Sequence, residues 1–133
     1  MKLQIGVKVL IRNSDGLFLF IQKTELLQNE TRKSWDIPGG RIEPDENLTV
    51  ALQREVKEEL AVELTEKTAL INAQDIFVTA KELHVVRLTY IVDQDIAALT
   101  LSEEHQAYRW CTIEDIIQQN VDPYLKETLE LLT

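Results

Sequence analysis

The stretch that decides the fold runs over residues 40–62 and reads GRIEPDENLTVALQREVKEELAV. Asn47 is a residue type that commonly caps the start of a helix. Behind it, aliphatic side chains recur every four residues, at Leu48, Leu52, Val56 and Leu60. This period places the four on one side, so the sequence predicts a helix over 48–60 with one face in a core.

Three glutamates share a second face of this predicted helix. At about 100° per residue, Glu55, Glu58 and Glu59 lie within about 100° of one another and overlap one edge of the apolar face. We therefore expect these carboxylates to be only partly hydrated. Like charges at this spacing repel, and they lie toward the negative end of the helix. Such a group predicts either a solvated acidic face or a bound cation, and Mg²⁺ suits hard oxygen ligands.

The residues around the glutamates favour the cation. Charged residues and glycine follow at fixed spacing, at Gly40, Glu46, Arg54, Glu55, Glu58 and Glu59. With aliphatic residues at 56 and 62, residues 40–62 resemble the Nudix box, G-x5-E-x7-R-E-U-x-E-E-x-G-U, where U is aliphatic. Ala61 stands where the family usually has glycine. Alanine accepts a right-handed exit from the helix but is strained in a left-handed one, so the geometry of the exit stays open.

The resemblance implies the family's fold and metal site. The fold would be α/β, an α/β/α sandwich with a mixed sheet between helices. Carried over by position, Glu55, Glu58 and Glu59 would bind Mg²⁺, with Mn²⁺ as a substitute and the Gly40 carbonyl as a further ligand. Arg54 would hold a carboxylate in place. Glu46 would be structural or an outer-sphere contact.

Hydrolysis of a pyrophosphate bridge also needs a base that takes a proton from water. Glu55 is the first choice, and we count Arg54 with it as part of the catalytic group. In parts of the family the base comes from a loop late in the chain. Glu104 lies in such a segment, so a catalytic or metal-binding role for Glu104 competes with that of a solvated loop charge.

Two further residues are candidates for substrate binding. Trp35 could stack on a base, although anchoring the core or a loop is the more common role of tryptophan. Arg41 directly follows Gly40 and could meet a phosphate, unless it is simply a solvated charge. His84 and His105 have no partner at ligand spacing, so we expect both at the surface.

The rest of the chain fits an α/β protein. Alternating or continuous apolar residues predict strands over residues 3–11, 17–22, 68–79, 86–92 and 107–111. A turn at 13–16 predicts a hairpin between the first two strands, and residues 25–34 read as a mobile loop. Thr112 and Asp122 are good caps, and they predict helices over 112–117 and 123–132.

Composition excludes several classes of function. The 133 residues predict a single domain over 1–133, and 14 basic against 23 acidic residues give a net charge of −9. This charge argues against binding to duplex nucleic acid or to anionic membranes, although a metal ion can still mediate contact with phosphate. The chain has one cysteine and begins without a signal-peptide pattern, so we expect a cytoplasmic protein.

The resemblance leaves three functions in competition. The first is Mg²⁺-dependent hydrolysis of a nucleotide pyrophosphate bond, with a nucleoside triphosphate giving the monophosphate and pyrophosphate. The alternatives are an ADP-ribose-like or dinucleotide substrate, and a domain that senses a nucleotide without cleaving it. Sensing domains usually lose acidic positions of the box, and all three are retained here. The sequence does not decide the oligomeric state, although members of the family are often homodimers.

Overall fold

The computed structural model describes residues 1–26 and 30–133, and these contain seven strands and three α-helices. Their order along the chain is β1 Lys2–Arg12, β2 Phe18–Lys23, β3 Trp35–Asp36, β4 Gly39–Arg41, α1 Leu48–Leu60, β5 Ala69–Val78, β6 Leu83–Asp93, β7 His105–Cys111, α2 Ile113–Ile116 and α3 Pro123–Glu130. All five predicted strands and all three predicted helices are present, but β6 begins three residues early, β7 begins two residues early and α3 ends two residues early. The short strands β3 and β4 were not predicted. Of the predicted loop 25–34, residues 27–29 lie outside the described residues.

The strands form one mixed sheet in the order β3-β2-β1-β6-β5. β1 runs parallel to β6 from the pair Lys2 and Leu83 to the pair Arg12 and Asp93. β1 pairs antiparallel with β2 only at Arg12 and Phe18, after which the two strands separate. The chain from β3 to β4 fills the gap, because β3 pairs with β2 and β4 pairs with β1. The backbone of residues 35–41 therefore lies in the middle of the sheet.

Alternation along β1 divides the core into two layers. Val7, Val9 and Ile11 pack with the apolar face of α1, whereas Leu10 packs on the opposite side. That second layer contains residues of β2, α2 and α3, namely Phe20, Ile116, Leu125 and Leu129. The sheet is thus covered by α1 on one face and by α2 and α3 on the other, which confirms the α/β/α sandwich with a mixed sheet. No helix among the described residues is both long and apolar enough to cross a membrane.

Helix α1 begins and ends at the predicted residues. The Asn47 side chain accepts a hydrogen bond from the Val50 amide at 2.8 Å, which caps the first turn. At the other end Ala61 has φ 55° and ψ 37°, and its amide donates to the Lys57 carbonyl. The exit is therefore left-handed, the conformation in which an alanine is strained by about 1–2 kcal/mol.

Candidate active site

The three glutamates of α1 differ in their contact with water. The Glu59 residue is 7% exposed, and the Glu55 side chain is 13% exposed. The Glu58 side chain is 58% exposed. The expectation of partial hydration therefore holds for Glu55 and Glu59 but not for Glu58, which lies on the outer side of the acidic face.

Arg54 holds three carboxylates together. Its Nε and Nη2 atoms donate to the two oxygens of Glu46 at 2.7 and 2.9 Å. Its Nη1 atom donates to Glu55 Oε1 at 2.9 Å and to Glu58 Oε1 at 3.3 Å. The hydrogen bonds from Arg54 and from the Glu43 amide lower the pKa of Glu46 to about 2. Because both oxygens of Glu46 contact Arg54, its geometry suits the structural role that the resemblance implied.

Two glycines bring the backbone of the 35–41 segment against the remaining carboxylates. The Gly39 amide donates to Glu59 Oε2 at 3.0 Å, and Gly39 has φ 150°. A Cβ atom at Gly39 would lie 2.0 Å from the Val7 carbonyl oxygen, so no side chain fits there. A Cβ at Gly40 would lie 2.6 Å from the carboxyl group of Glu55. The missing side chain of Gly39 therefore allows close approach to the backbone of β1, and that of Gly40 makes room for the Glu55 carboxylate.

Burial makes two of these carboxylates hard to ionise. Desolvation raises the pKa of Glu59 to about 7, although Lys8 and the Gly39 amide oppose the shift. Desolvation also raises the pKa of Glu55, against the opposing hydrogen bond from Arg54. Buried carboxylates that gather on one face and lack enough positive charge match the donor chemistry of a hard divalent cation. The residues present therefore fit such an ion.

The glutamates open onto a cleft with charges of both signs. One part has a volume of about 310 Å³ and is lined by Glu55, Glu58, Glu59, Ser102, Glu103 and Glu104. A larger part of about 590 Å³ shares Glu59, Glu103 and Glu104 with it and is also lined by Lys8 and Lys23. The cleft thus has an acidic end beside α1 and a basic end, a combination that suits a polyphosphate held partly by metal and partly by lysine.

Backbone hydrogen bonds fix the late loop beside α1. The Ser102 amide donates to the Glu59 carbonyl at 3.0 Å. On the other side, Thr24 donates to the Glu104 carbonyl from its amide at 2.9 Å and from its hydroxyl at 3.1 Å. A carboxylate oxygen of Glu104 lies within 4.8 Å of one of Glu59. The structure therefore brings Glu104 to the three glutamates, as a role in the site requires.

A buried ion-pair cluster, which the sequence pattern did not predict, lies at the basic end of the cleft. The Lys8 Nζ atom lies 3.2 Å from Asp36 Oδ2 and donates to the Ile37 carbonyl, and the Lys23 Nζ atom lies 3.7 Å from the same Asp36 oxygen. Burial opposes the ionisation of Asp36, but the charges of Lys8, Lys23 and Arg87 and a hydrogen bond from the Ile37 amide together hold its pKa below the usual value. Because Lys8 lies between Val7 and Val9, the alternation of β1 predicts a solvent-exposed side chain at this position.

The surface position predicted for His105 is wrong. The residue is 8% exposed, and one ring nitrogen lies within 4.8 Å of carboxylate oxygens of Glu59 and Glu104. β7 begins at His105, two residues before the predicted start, so His105 belongs to the sheet and not to the preceding loop. His84 is half-buried and contacts Asp75 at 2.7 Å, away from the cleft.

Neither residue predicted to bind substrate lines this cleft. Trp35 is 9% exposed and belongs to the second core layer with Phe20 and Leu125, and its backbone pairs with residues 120–122. This is the anchoring role that the sequence analysis weighed against base stacking. Arg41 is exposed at the end of β4 and lines a separate depression with Lys2 and Pro44. The Arg41 carbonyl accepts a hydrogen bond from Arg54, so Arg41 contacts the site through its backbone and not through its side chain.

This chain is similar to known proteins over most of its length. The family model described as NUDIX domain matches residues 2–132. The CTP pyrophosphohydrolase of Escherichia coli K12 is 31% identical over 120 residues, which is 90% of this chain and 84% of that protein. The nucleoside triphosphatase NudI of the same strain is 30% identical over 105 residues, covering 73% and 74% of the two chains. The crystal structure of a MutT protein from Methanosarcina mazei Go1 superposes with a TM-score of 0.81 at 29% identity, covering 96% and 91%.

Proposed function

Because this chain belongs to the NUDIX family and is a Nudix-type hydrolase of nucleotide pyrophosphates, we propose that it converts a nucleoside triphosphate into the monophosphate and pyrophosphate, with Mg²⁺ as its cofactor. The observation that carries the proposal is the cleft, in which two buried carboxylates at one end face two lysines at the other. The two relatives named for activity on CTP and on nucleoside triphosphates support this choice of substrate.

The proposed cation is held by the acidic face of α1. Glu55, Glu58 and Glu59 supply carboxylate oxygens, and the Gly40 carbonyl is proposed as a further ligand. When bound, Mg²⁺ neutralises phosphate oxygens and lowers the pKa of a bound water. Arg54 keeps the Glu55 and Glu58 carboxylates together before the ion arrives, so less reorganisation is needed on binding.

The proton of the attacking water needs an acceptor at the acidic end. Oε1 of Glu55 accepts the hydrogen bond from Arg54 and has a second lone pair for the ion, so we assign the proton to Oε2. Its raised pKa makes Glu55 a stronger base than an ordinary exposed glutamate. Glu104 is the alternative base, because the loop that carries it is fixed beside α1 by Thr24 and Ser102.

The two lysines of the cleft are proposed to contact the phosphates that the cation does not reach. The Lys8 side chain is 16% exposed and is engaged by Asp36, whereas the Lys23 side chain is 30% exposed and lies farther from Asp36. Lys23 is therefore the freer cation, and Lys8 contributes mainly its field. The products require that the bond between the bridging oxygen and the α- or β-phosphorus breaks: water bonding to the α-phosphorus releases pyrophosphate, and water bonding to the β-phosphorus releases the monophosphate.

The test is product analysis over a panel of nucleotides. Ribonucleoside and deoxyribonucleoside triphosphates, ADP-ribose and a diadenosine polyphosphate are incubated with the protein and Mg²⁺, and the products are identified by ion exchange and ³¹P NMR. We expect monophosphate and pyrophosphate from at least one triphosphate. Diphosphate with inorganic phosphate would contradict the proposal. If only ADP-ribose or only the dinucleotide were hydrolysed, the substrate would belong to that class and not to the nucleoside triphosphates.

A folded but inactive variant links the products to this site. Glu59→Gln removes a proposed ligand while keeping an oxygen for the Gly39 amide, so we expect most turnover to be lost with the fold intact. Glu63→Gln is the matched control, because Glu63 is exposed and pairs with Lys57 outside the cleft. Equal turnover in the two variants would remove the proposed role of Glu59. The homodimer and the cytoplasmic location remain predictions.

A further inference from the structure

His105 carries a polar atom that the fold leaves without a partner. Its residue is 8% exposed, and its Nδ1 atom is buried with no hydrogen-bond partner among the described residues. A buried nitrogen without a partner destabilises a protein by about 1–3 kcal/mol, so its presence calls for a reason. A phenylalanine or leucine would fill the same space without this loss.

The surroundings of the imidazole are those of a ligand. One of its ring nitrogens and one carboxylate oxygen each from Glu59 and Glu104 all lie within 4.8 Å of one another. Two ligands on opposite sides of one ion are separated by about twice the metal–ligand distance of about 2.1 Å. The three side chains are therefore close to the spacing that a single cation imposes.

The backbone holds these donors in place. The His105 amide donates to the Ser102 carbonyl at 3.2 Å, and β7 pairs His105 with Lys23. The Glu104 carbonyl accepts from Thr24, and Glu59 Oε2 accepts from the Gly39 amide. A site whose donors are positioned before binding loses little entropy when the ion enters.

We propose that Glu59, Glu104 and His105 form a cation site with two oxygen ligands and one nitrogen ligand, which takes a later first-row transition-metal ion such as Co²⁺ in preference to Mg²⁺. Carboxylate oxygens suit Mg²⁺, whereas imidazole nitrogen favours later transition metals. The site rests on the proposed function, because it shares Glu59 with the magnesium ligands of α1. It adds a nitrogen donor that the acidic face alone does not provide.

The test is pulsed electron paramagnetic resonance of the full chain loaded with Mn²⁺ alone. A bound imidazole couples its ¹⁴N nucleus to the manganese spin, and labelling with [¹⁵N]histidine must change the signal. The chain has two histidines, so His84→Asn is a matched control for His105→Asn. We expect coupling in the wild type and in His84→Asn, and none in His105→Asn.

A calorimetric titration gives a second readout. Loss of even an outer-shell partner weakens metal binding about 10–100-fold, so His105→Asn should weaken Co²⁺ binding at least about tenfold. Binding of Mg²⁺ should change less than about twofold, because oxygen donors dominate it. An equal loss for both ions, or a loss for neither, would overturn the proposal.

The outcomes separate this site from the hydrolase itself. If Mg²⁺ supports hydrolysis but wild-type protein with bound Mn²⁺ shows no nitrogen coupling, the nitrogen ligand is refuted and the proposed function stands. If no divalent ion binds and no nucleotide is cleaved, both fail. The labelled wild-type measurement needs no substitution, so poor folding of His105→Asn would not block the decision.

Discussion

The buried carboxylate of Glu59 should make the metal-free protein less stable as the pH rises. Its pKa in the folded protein is about 7, against an ordinary value of about 4.5. The folded state therefore binds this proton more tightly than the unfolded state. The stabilisation that protonated Glu59 gives the folded state is fully present below about pH 4.5 and is lost as the pH rises to about 7. A shift of this size corresponds to about 3 kcal/mol in the free energy of unfolding.

The perturbation is Glu59→Gln, which has the same shape but never ionises. Urea unfolding in the presence of a chelator is followed at intervals from pH 4.5 to 8 for three proteins: wild type, Glu59→Gln and Glu58→Gln. Glu58 is the matched control because its side chain is largely exposed. Burial lowers the pKa of His105, so this group contributes with the opposite sign, and it is present in all three proteins.

The informative quantity is the difference in the free energy of unfolding between each variant and the wild type as the pH changes. Relative to wild type, Glu59→Gln should gain about 3 kcal/mol of stability between pH 4.5 and 8, whereas Glu58→Gln should follow the wild-type slope. Adding Mg²⁺ should stabilise the wild type more at pH 8 than at pH 5.5, since protons compete with the ion. If the free energies of unfolding of wild type and Glu59→Gln changed in parallel with pH, the raised pKa of Glu59 would be refuted.

Three further substitutions test the surroundings of the carboxylates. Gly40→Ala places a Cβ 2.6 Å from the Glu55 carboxyl, so turnover should fall at least about tenfold while the melting temperature changes little; full activity would contradict this. Ala61→Gly relieves a left-handed alanine and should add about 1 kcal/mol of stability in urea unfolding at unchanged kcat, and no gain would refute the strain. Arg54→Lys cannot bridge Glu46 and Glu55, so kcat should drop at least about tenfold, and a wild-type kcat would show that the bridging is dispensable.

Local signals in the sequence predicted α1 and its acidic face correctly. The cap at Asn47 and the four-residue recurrence of aliphatic side chains act within one helix, so they do not depend on the rest of the fold. The angle between Glu55 and Glu59 follows from helix geometry alone. The handedness at Ala61 could not be predicted, because the packing beyond the helix decides whether the strain is accepted.

The basic end of the site depends on contacts between distant parts of the chain. Lys8 meets Asp36 only because β1 and β2 separate and residues 35–41 fill the gap. His105 is buried where β7 pairs with β2, at Lys23, and the neighbouring Glu104 carbonyl accepts from the Thr24 amide. Trp35 looked available for stacking, yet its strand faces α3. Alternation in a strand shows which residues share a face, but it does not show what covers that face.

The most direct test of the acidic face is anomalous diffraction from a crystal of the wild-type protein soaked in Mn²⁺. We expect an anomalous peak within coordination distance of at least two of the three carboxylates of Glu55, Glu58 and Glu59. No peak there at a saturating concentration, with the three side chains turned toward solvent, would contradict the metal site and the hydrolysis built on it.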